Sequence, residues 1–453
     1  MACRARGAWC TVVIVLLLMV AFEFVGGPGV NWGTLSINPL PPRHVVKIFD
    51  ADPDVVRSMA GTDIEVMVAA PNDMLATLAK DPEASDAWVR ENVTSLNFEE
   101  GVYIRWVAVG NEPFLTAYEG VYLTTTVPAL RNIVNAVANA GLADTVKATI
   151  PFNADILNGA AKPSETRFKI DTGTPFSVNL YPFLSKYQSP DFPLGYAFFE
   201  GSTASVVDGP HYWEKYSVYI DALIAAPTAE GYPNMQVVLG EIGWTSDGNV
   251  FANLELAGRY NQRMINHLQS KVGTHLRPNS FTEFYLFGLL DEDIKSILPG
   301  PFERHWVSST AFPPQMIKSL EFPPYMSAQY CVLNEEADRT NLSQNVAFAC
   351  SRADSTASYP GSSCASLTPE QNASSSFNQY FQFQNQDSHA CDFQGLARIT
   401  TEIPSVGNCR FIIGLVQVPP PSAATSGTNY NAVSHLLVQS IWHTQHSSSR
   451  SRA

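Results

Sequence analysis

The sequence predicts an α/β chain, a (β/α)8 TIM barrel followed by a small disulfide-stapled C-terminal module. Three observations carry that expectation. Eight short apolar runs recur between Gly29 and Glu292, and they are near-continuous rather than alternating, as strands buried on both faces of a parallel sheet must be. The stretches between several of them have helical spacing. After Cys10 no cysteine occurs until Cys331, and then Cys331, Cys350, Cys364, Cys391 and Cys409 follow closely, the pattern of a secreted module held by disulfides.

Taken in order, residues 1–27 place Arg4 and Arg6 before the apolar run Thr11 to Phe24, which reads as a signal peptide. The run is shorter than the roughly 20 residues a spanning helix needs, so the mature chain is expected to be secreted, with no membrane span. Asn92, Asn341 and Asn372 are glycosylation acceptors on that route. The barrel is expected over 28–312. Its strands are Gly29 to Gly33, Val45 to Asp50, Ile64 to Asn72, Tyr103 to Glu112, Val146 to Asn153, Phe176 to Tyr181, Val237 to Glu241 and Phe284 to Glu292.

Thr124 to Ala140 carries Val127, Leu130, Val134 and Val137 at helical spacing, and Leu254 to Leu268 reads the same way. Tyr187 to Asp208, rich in Pro, Phe, Tyr and Gly, is the candidate wall loop of a cleft. Between Gly33 and Lys47 there is too little chain for loop, helix and loop, and Pro39, Pro41 and Pro42 would break a helix. The first crossover helix is therefore expected to be missing. That would leave outward side chains of the first two strands wet, at roughly 1.5 to 3 kcal/mol each.

Pro313, Pro314, Pro323 and Pro324 mark a linker over 313–329, the cysteine-bearing module is expected over 330–412, and a polar tail over 413–453 is expected to be disordered. Ala432 to Trp442 is interrupted and followed by a basic end, which argues against a lipid anchor. A zinc site is the rival use of the cysteines. No Cys-x-x-Cys pair is present and His389 is the one histidine among them, so no metal is expected.

A net charge of -14 disfavours nucleic acid, which needs a surplus of Lys and Arg on some face, and suits a neutral polymer. Glu112 and Glu241 each end an apolar run. A lone glutamate there is most often a solvated boundary residue, but in a parallel barrel strand ends gather on one face, so the two can meet across one cleft. Paired carboxylates are what glycosidic bond cleavage needs, without a cofactor. Tyr181, Phe183 and Trp244 lie at strand ends where rings can stack on sugars, although each is as well suited to a core. Asn111 is placed to donate to the hydroxyl beside the cleaved bond.

Asn31-Trp-Gly-Thr, Val109-Gly-Asn-Glu, Asn179-Leu-Tyr-Pro, Gly240-Glu-Ile-Gly-Trp and Phe287 to Lys295 with Glu303-Arg-His stand in this order. Over roughly Gly29 to Phe312 the chain thereby resembles the plant glycoside hydrolase family 17 endo-1,3-β-glucanases. The resemblance implies Glu112 as acid/base and Glu241 as nucleophile, with Glu292, Lys295 and Glu303 in support and Lys295 helping to hold Glu241 charged. It also implies retention, with the carboxyl groups roughly 5 to 5.5 Å apart. Thr245 stands where that family usually has Pro, and Trp306-Val where Phe-Gly is usual.

Ala349-Cys, Ser376-Phe-Asn-Gln-Tyr-Phe, Ala390-Cys-Asp-Phe and Pro404-Ser resemble the X8 carbohydrate-binding module. That likeness implies pairs Cys331 with Cys391 and Cys364 with Cys409. Ser355 stands where a sixth cysteine is usual, which leaves Cys350 without its partner, and Tyr330 replaces a tryptophan. The expectation is a monomeric wall enzyme hydrolysing β-1,3-glucan. The alternative is a non-catalytic β-1,3-glucan-binding wall protein with a degenerate barrel.

Overall fold

Strands that must be buried on both faces need a closed sheet with a cover, and the computed structural model of the chain has that form. It describes residues 29–32, 46–62, 64–156, 162–165, 176–201, 206–213, 217–270, 272–306 and 325–416. The barrel strands are β1 (Gly29–Asn31), β2 (Val46–Lys47), β3 (Glu65–Ala70), β4 (Tyr103–Val109), β5 (Lys147–Thr149), β6 (Pro151–Asn153) and β7 (Phe176–Asn179). After an antiparallel hairpin of β8 (Val206–Asp208) and β9 (His211–Trp213) come β10 (Val237–Ile242) and β11 (Glu283–Leu286). Neighbours run β5-β4-β3-β2-β1-β11-β10-β7-β6, all parallel.

Since β5 and β6 are halves of one run split at Ile150, the two edges of the sheet meet on the same segment and the barrel closes. Every one of the eight expected runs supplies a strand.

Alternation along the strands divides the side chains between two cores. Met67, Ala69, Trp106, Ala108, Val238 and Tyr285 fill the interior. Val66, Val68, Val107, Val109 and Leu239 face outward into the larger core beneath the helices. Thr126–Asn139 buries Ala129, Leu130, Ile133 and Val137 on one face. Leu254–Gln269 is capped by Asn253, whose side chain accepts from the Leu256 N–H at 2.9 Å.

A further helix, Ser217–Ala229, carries no readable stripe because it is buried on nearly every face. The expected wall loop is partly helical, with Pro182–Gln188 and Leu194–Ala197 preceding the hairpin.

The segment thought to lack a helix, 33–45, lies outside the described residues, as do the leader, 307–324 of the linker region and the tail beyond 416. One consequence drawn from it is overturned. Val46 and Ile48 are fully buried, as is Val30 nearly so, and they share a core with Val56 and Met59 from the short helix Pro53–Arg57 and its exit. The outward faces of β1 and β2 are therefore dry.

In the C-terminal module β12 (Tyr330–Leu333) pairs antiparallel with β13 (Ala397–Thr400), and helices Leu342–Cys350 and Pro369–Phe383 pack beside them. The second helix opens on a capping box of Thr368 and Gln371. Disulfides join Cys331 to Cys391 and Cys364 to Cys409, while Cys350 is a free thiol whose Sγ donates to Ser376 Oγ at 3.3 Å. Residues 325–329, expected as linker, bond into the module: Met326 N–H donates to the Gly414 carbonyl at 2.8 Å. Among the described residues no helix is long and apolar enough to cross a membrane.

Candidate active site

Glu241 is delivered by an irregularity in β10. The register against β7 and β11 shifts around Gly240, which turns Glu241 toward the barrel mouth opposite Asn179. Gly240 itself is required, because a Cβ there would lie 2.6 Å from Ser177 Oγ and 2.8 Å from Asn179 Oδ1. Asn31 on β1 then ties the strand down, donating to the Gly240 carbonyl at 3.1 Å.

The Glu241 carboxylate is buried, and both of its oxygens receive a proton donor. Lys47 Nζ lies 2.6 Å from Oε1, and the Tyr181 hydroxyl donates to Oε2. Lys47 comes from β2, is 0% exposed, and also donates to Asn111 Oδ1 at 3.0 Å. A buried ammonium is costly unless paired, and Glu241 is the carboxylate that pairs it. Burial, then the charges of Glu241 and Glu112, push the Tyr181 hydroxyl well above the usual tyrosine range, so it stays a donor.

Glu112 is held differently. Gly110 takes φ +75°, a left-handed turn that L side chains resist, and a Cβ there would lie 2.6 Å from Asn72 Oδ1. Asn72 grips the next residue from both sides, accepting from the Asn111 N–H and donating to its carbonyl, each at 2.9 Å. Glu112 follows at φ +48°, with its N–H on the Pro151 carbonyl at 2.8 Å. Its half-buried carboxyl accepts from Asn179 Nδ2 at 2.9 Å. Burial and the negative charge of Glu241 push it up to about 7, against the pull of Asn179, Lys47 and Lys295. One carboxylate is thus bonded to a buried ammonium and the other is held above the ordinary carboxylate range.

Lys295 makes its close contact elsewhere. Its ammonium sits 3.1 Å from Glu303. Burial works against that charge, but Glu303, Glu292 and Glu241 together raise it above the ordinary lysine range. Lys295 reaches Glu241 through space, and the direct contact belongs to Lys47.

Two assignments change. Phe183 and Trp244 are both 0% exposed and meet edge to face at 5.3 Å, within an aromatic core that includes Phe198, Tyr260 and Phe302. A ring with no exposed face cannot stack on a sugar, so both support the site from behind. Tyr181 packs on Phe287 and Trp306 while its hydroxyl serves Glu241. Asn111 commits Oδ1 to Lys47, which leaves its amide N–H groups for a ligand.

Lys47 was missed by sequence reasoning, yet its signal is visible: it is the charge inside the apolar run Val45 to Phe49. Asn179 also gained no role there, because its contact with Glu112 spans 67 residues.

Two carboxyl groups in contrasting settings at one mouth of a parallel barrel are what a glycoside hydrolase needs. The profile of Glycosyl hydrolases family 17 matches residues 42–313, and that of the X8 domain matches 329–398. The chain is 42% identical to glucan endo-1,3-beta-glucosidase 8 of Arabidopsis thaliana, over 92% of this chain and 94% of that protein. It is 38% identical to glucan endo-1,3-beta-glucosidase 5 of the same plant, over 96% and 98%. A solved structure of CJP38, a beta-1,3-glucanase and allergen of Cryptomeria japonica pollen, superposes with TM-score 0.57 at 30% identity, covering 62% of this chain and 94% of that one. The chain belongs to glycosyl hydrolase family 17 and carries an X8 domain after its barrel.

Proposed function

We propose that this chain hydrolyses 1,3-β-glucosidic bonds within β-1,3-glucan with retention, using Glu241 as nucleophile and Glu112 as acid/base. The carrying observation is the opposite settings of the two carboxyl groups: Glu241 bonded to Lys47 and Tyr181, Glu112 pushed up to about 7. Glu241 attacks the anomeric carbon as the bond to the leaving oxygen breaks, and Glu112 gives that oxygen its proton. Water then attacks the glycosyl-enzyme, Glu112 takes the proton of the water, and Glu241 leaves as the carboxylate.

Asn111 is assigned to the sugar hydroxyl beside the cleaved bond, and Glu292, Lys295 and Glu303 to the charge balance of the cleft. The X8 domain is assigned to glucan binding. The leader reading supports a secreted wall enzyme, built of the barrel, linker and module ranges read from the sequence, and its action as a monomer is part of the same proposal.

The non-catalytic alternative is disfavoured by the intact pair and its donors. Incubation with a linear β-1,3-glucan should generate reducing ends, and proton NMR should show the β-anomer first. First-formed α-anomer would refute retention, and no new reducing ends would refute hydrolysis.

A further inference from the structure

The cleft loops after β10 and β11 do not end in solvent. Arg304 Nη1 lies 3.1 Å from Asp354 Oδ1 of the C-terminal module, and His305 Nε2 lies 2.7 Å from Thr356 Oγ1. Asp247 accepts from the Ser363 N–H at 2.8 Å on one oxygen and from the Ser363 hydroxyl on the other. Thr356 is 2% exposed although it stands at the edge of a small module, so the barrel covers it. Gly361 packs so closely on Val250 that a Cβ would sit 3.0 Å from Val250 Cγ1.

The donors and acceptors of this seam run consistently. His305 donates to Thr356, Thr356 donates to Asp354 Oδ1 at 2.7 Å, and Arg304 supplies the positive charge on Asp354. Asp291 faces the other imidazole nitrogen at 3.5 Å. Burial alone would strip the ring of its proton, but Asp291, Asp354 and Asp247 outweigh it and raise His305 to about 9.

The barrel side is also braced. The Thr245 hydroxyl donates to the His305 carbonyl at 2.8 Å, and the Ser246 N–H to the same oxygen at 2.7 Å. Arg304 Nε donates to the Lys295 carbonyl at 2.7 Å, so a docking residue is tied to a lysine of the cleft.

We propose that the C-terminal module is a fixed wall of the cleft face, docked through Asp354, Thr356 and Ser363 onto Asp247, Arg304 and His305, and that it guides polymeric glucan into the cleft. The second half rests on the glucan reading above. A partner tethered at millimolar effective concentration docks through contacts too weak to join separate proteins, so a seam of this size suffices.

The test is small-angle scattering on the full chain, with the module-side double variant Asp354→Ala/Ser363→Ala and the barrel-side variant Asp247→Asn. The wild type should scatter as one docked particle, and both variants should lengthen and be cut faster between barrel and module. With the double variant, KM for the polymer should rise about 3- to 10-fold, while kcat/KM for a short soluble oligosaccharide is unchanged. Wild-type scattering of two independently tumbling bodies, or variants indistinguishable from wild type, would overturn docking. An unchanged polymer KM in a variant that has opened would overturn the guiding role. Should no glucan be cleaved at all, the scattering still decides the docking.

Discussion

Glu241 and Glu112 end two strands of one barrel and read almost alike in sequence, an apolar run stopping on a carboxylate. Their surroundings are nearly opposite. Glu241 has a buried ammonium on one oxygen and a phenolic hydroxyl on the other. Glu112 has one amide donor and a half-buried position in view of that same anion. Strand-end placement brings both to the cleft, but the division of labour comes from Lys47, Asn179 and Tyr181, which arrive from other strands. Roles in a carboxylate pair are set by neighbours across the barrel, and neighbours along the chain say little about them.

The largest effect that sharpens this contrast is chemical. Glu241→Gln should lower kcat by about 10⁴-fold or more on glucan and on an aryl glucoside alike, since a nucleophile is needed whatever leaves. Glu112→Gln should lose about 10²- to 10⁴-fold on glucan but far less on an aryl glucoside whose acidic phenol leaves without a proton. Steady-state rates on both substrates decide it. Equal losses for Glu112→Gln on the two would remove its role as acid.

Next in size is Lys47→Met. Loss of the ammonium bonded to Glu241 should cost about 10²-fold in kcat/KM, comparable to removing one preorganised donor from a charged centre. The basic limb of the pH profile should move upward, because the charge of Lys47 pulls Glu112 down through space. A profile unchanged in shape would mean that Lys47 is only a packing element.

What was legible in the sequence follows from range. The eight strands, the free Cys350 and the two glutamates rest on local pattern and motif, and each is where the pattern places it. Lys47 was legible too, as one charge in an apolar strand, but its partner lies 194 residues away and nothing local marks which carboxylate it meets. Trp244 was read as a sugar platform from its place at a strand end. Its fate was decided by Phe198, which follows helix Leu194–Ala197, and Tyr260, in helix Leu254–Gln269, which close over it. Helix Ser217–Ala229 escaped because a helix buried all round has no stripe to read.

A smaller effect comes from Asn179→Ala. Its amide lowers Glu112 by donating to the ionised form, so removing it should move the basic limb of kcat/KM upward from about 7. A limb that moves downward, in rates measured between pH 5 and 9, would show that Asn179 serves the protonated form instead.

The last effect is on stability, and there the same substitution should have opposite signs at the two glutamates. Glu112 has a folded value of about 7 against an ordinary 4.5. Below 4.5 the folded and unfolded chains both hold its proton and the residue costs nothing. Between 4.5 and 7 the folded chain holds a proton that the unfolded chain has released, so stability falls as pH rises, and above 7 the full penalty stands. Glu112→Gln keeps a carbonyl oxygen for Asn179 and removes the titration. It should therefore stabilise the protein at pH 8 by on the order of 1 to 3 kcal/mol, a rise in Tm of a few degrees, and leave it unchanged at pH 4. Glu241→Gln should do the reverse at pH 8, since it leaves the fully buried Lys47 ammonium without its anion at a cost of about 3 kcal/mol. Thermal melts of the two variants at pH 4 and pH 8 settle the matter. If both variants shift Tm the same way at pH 8, the fold does not disfavour the ionised form of Glu112 while holding Lys47 against Glu241, and the asymmetry must be created by binding.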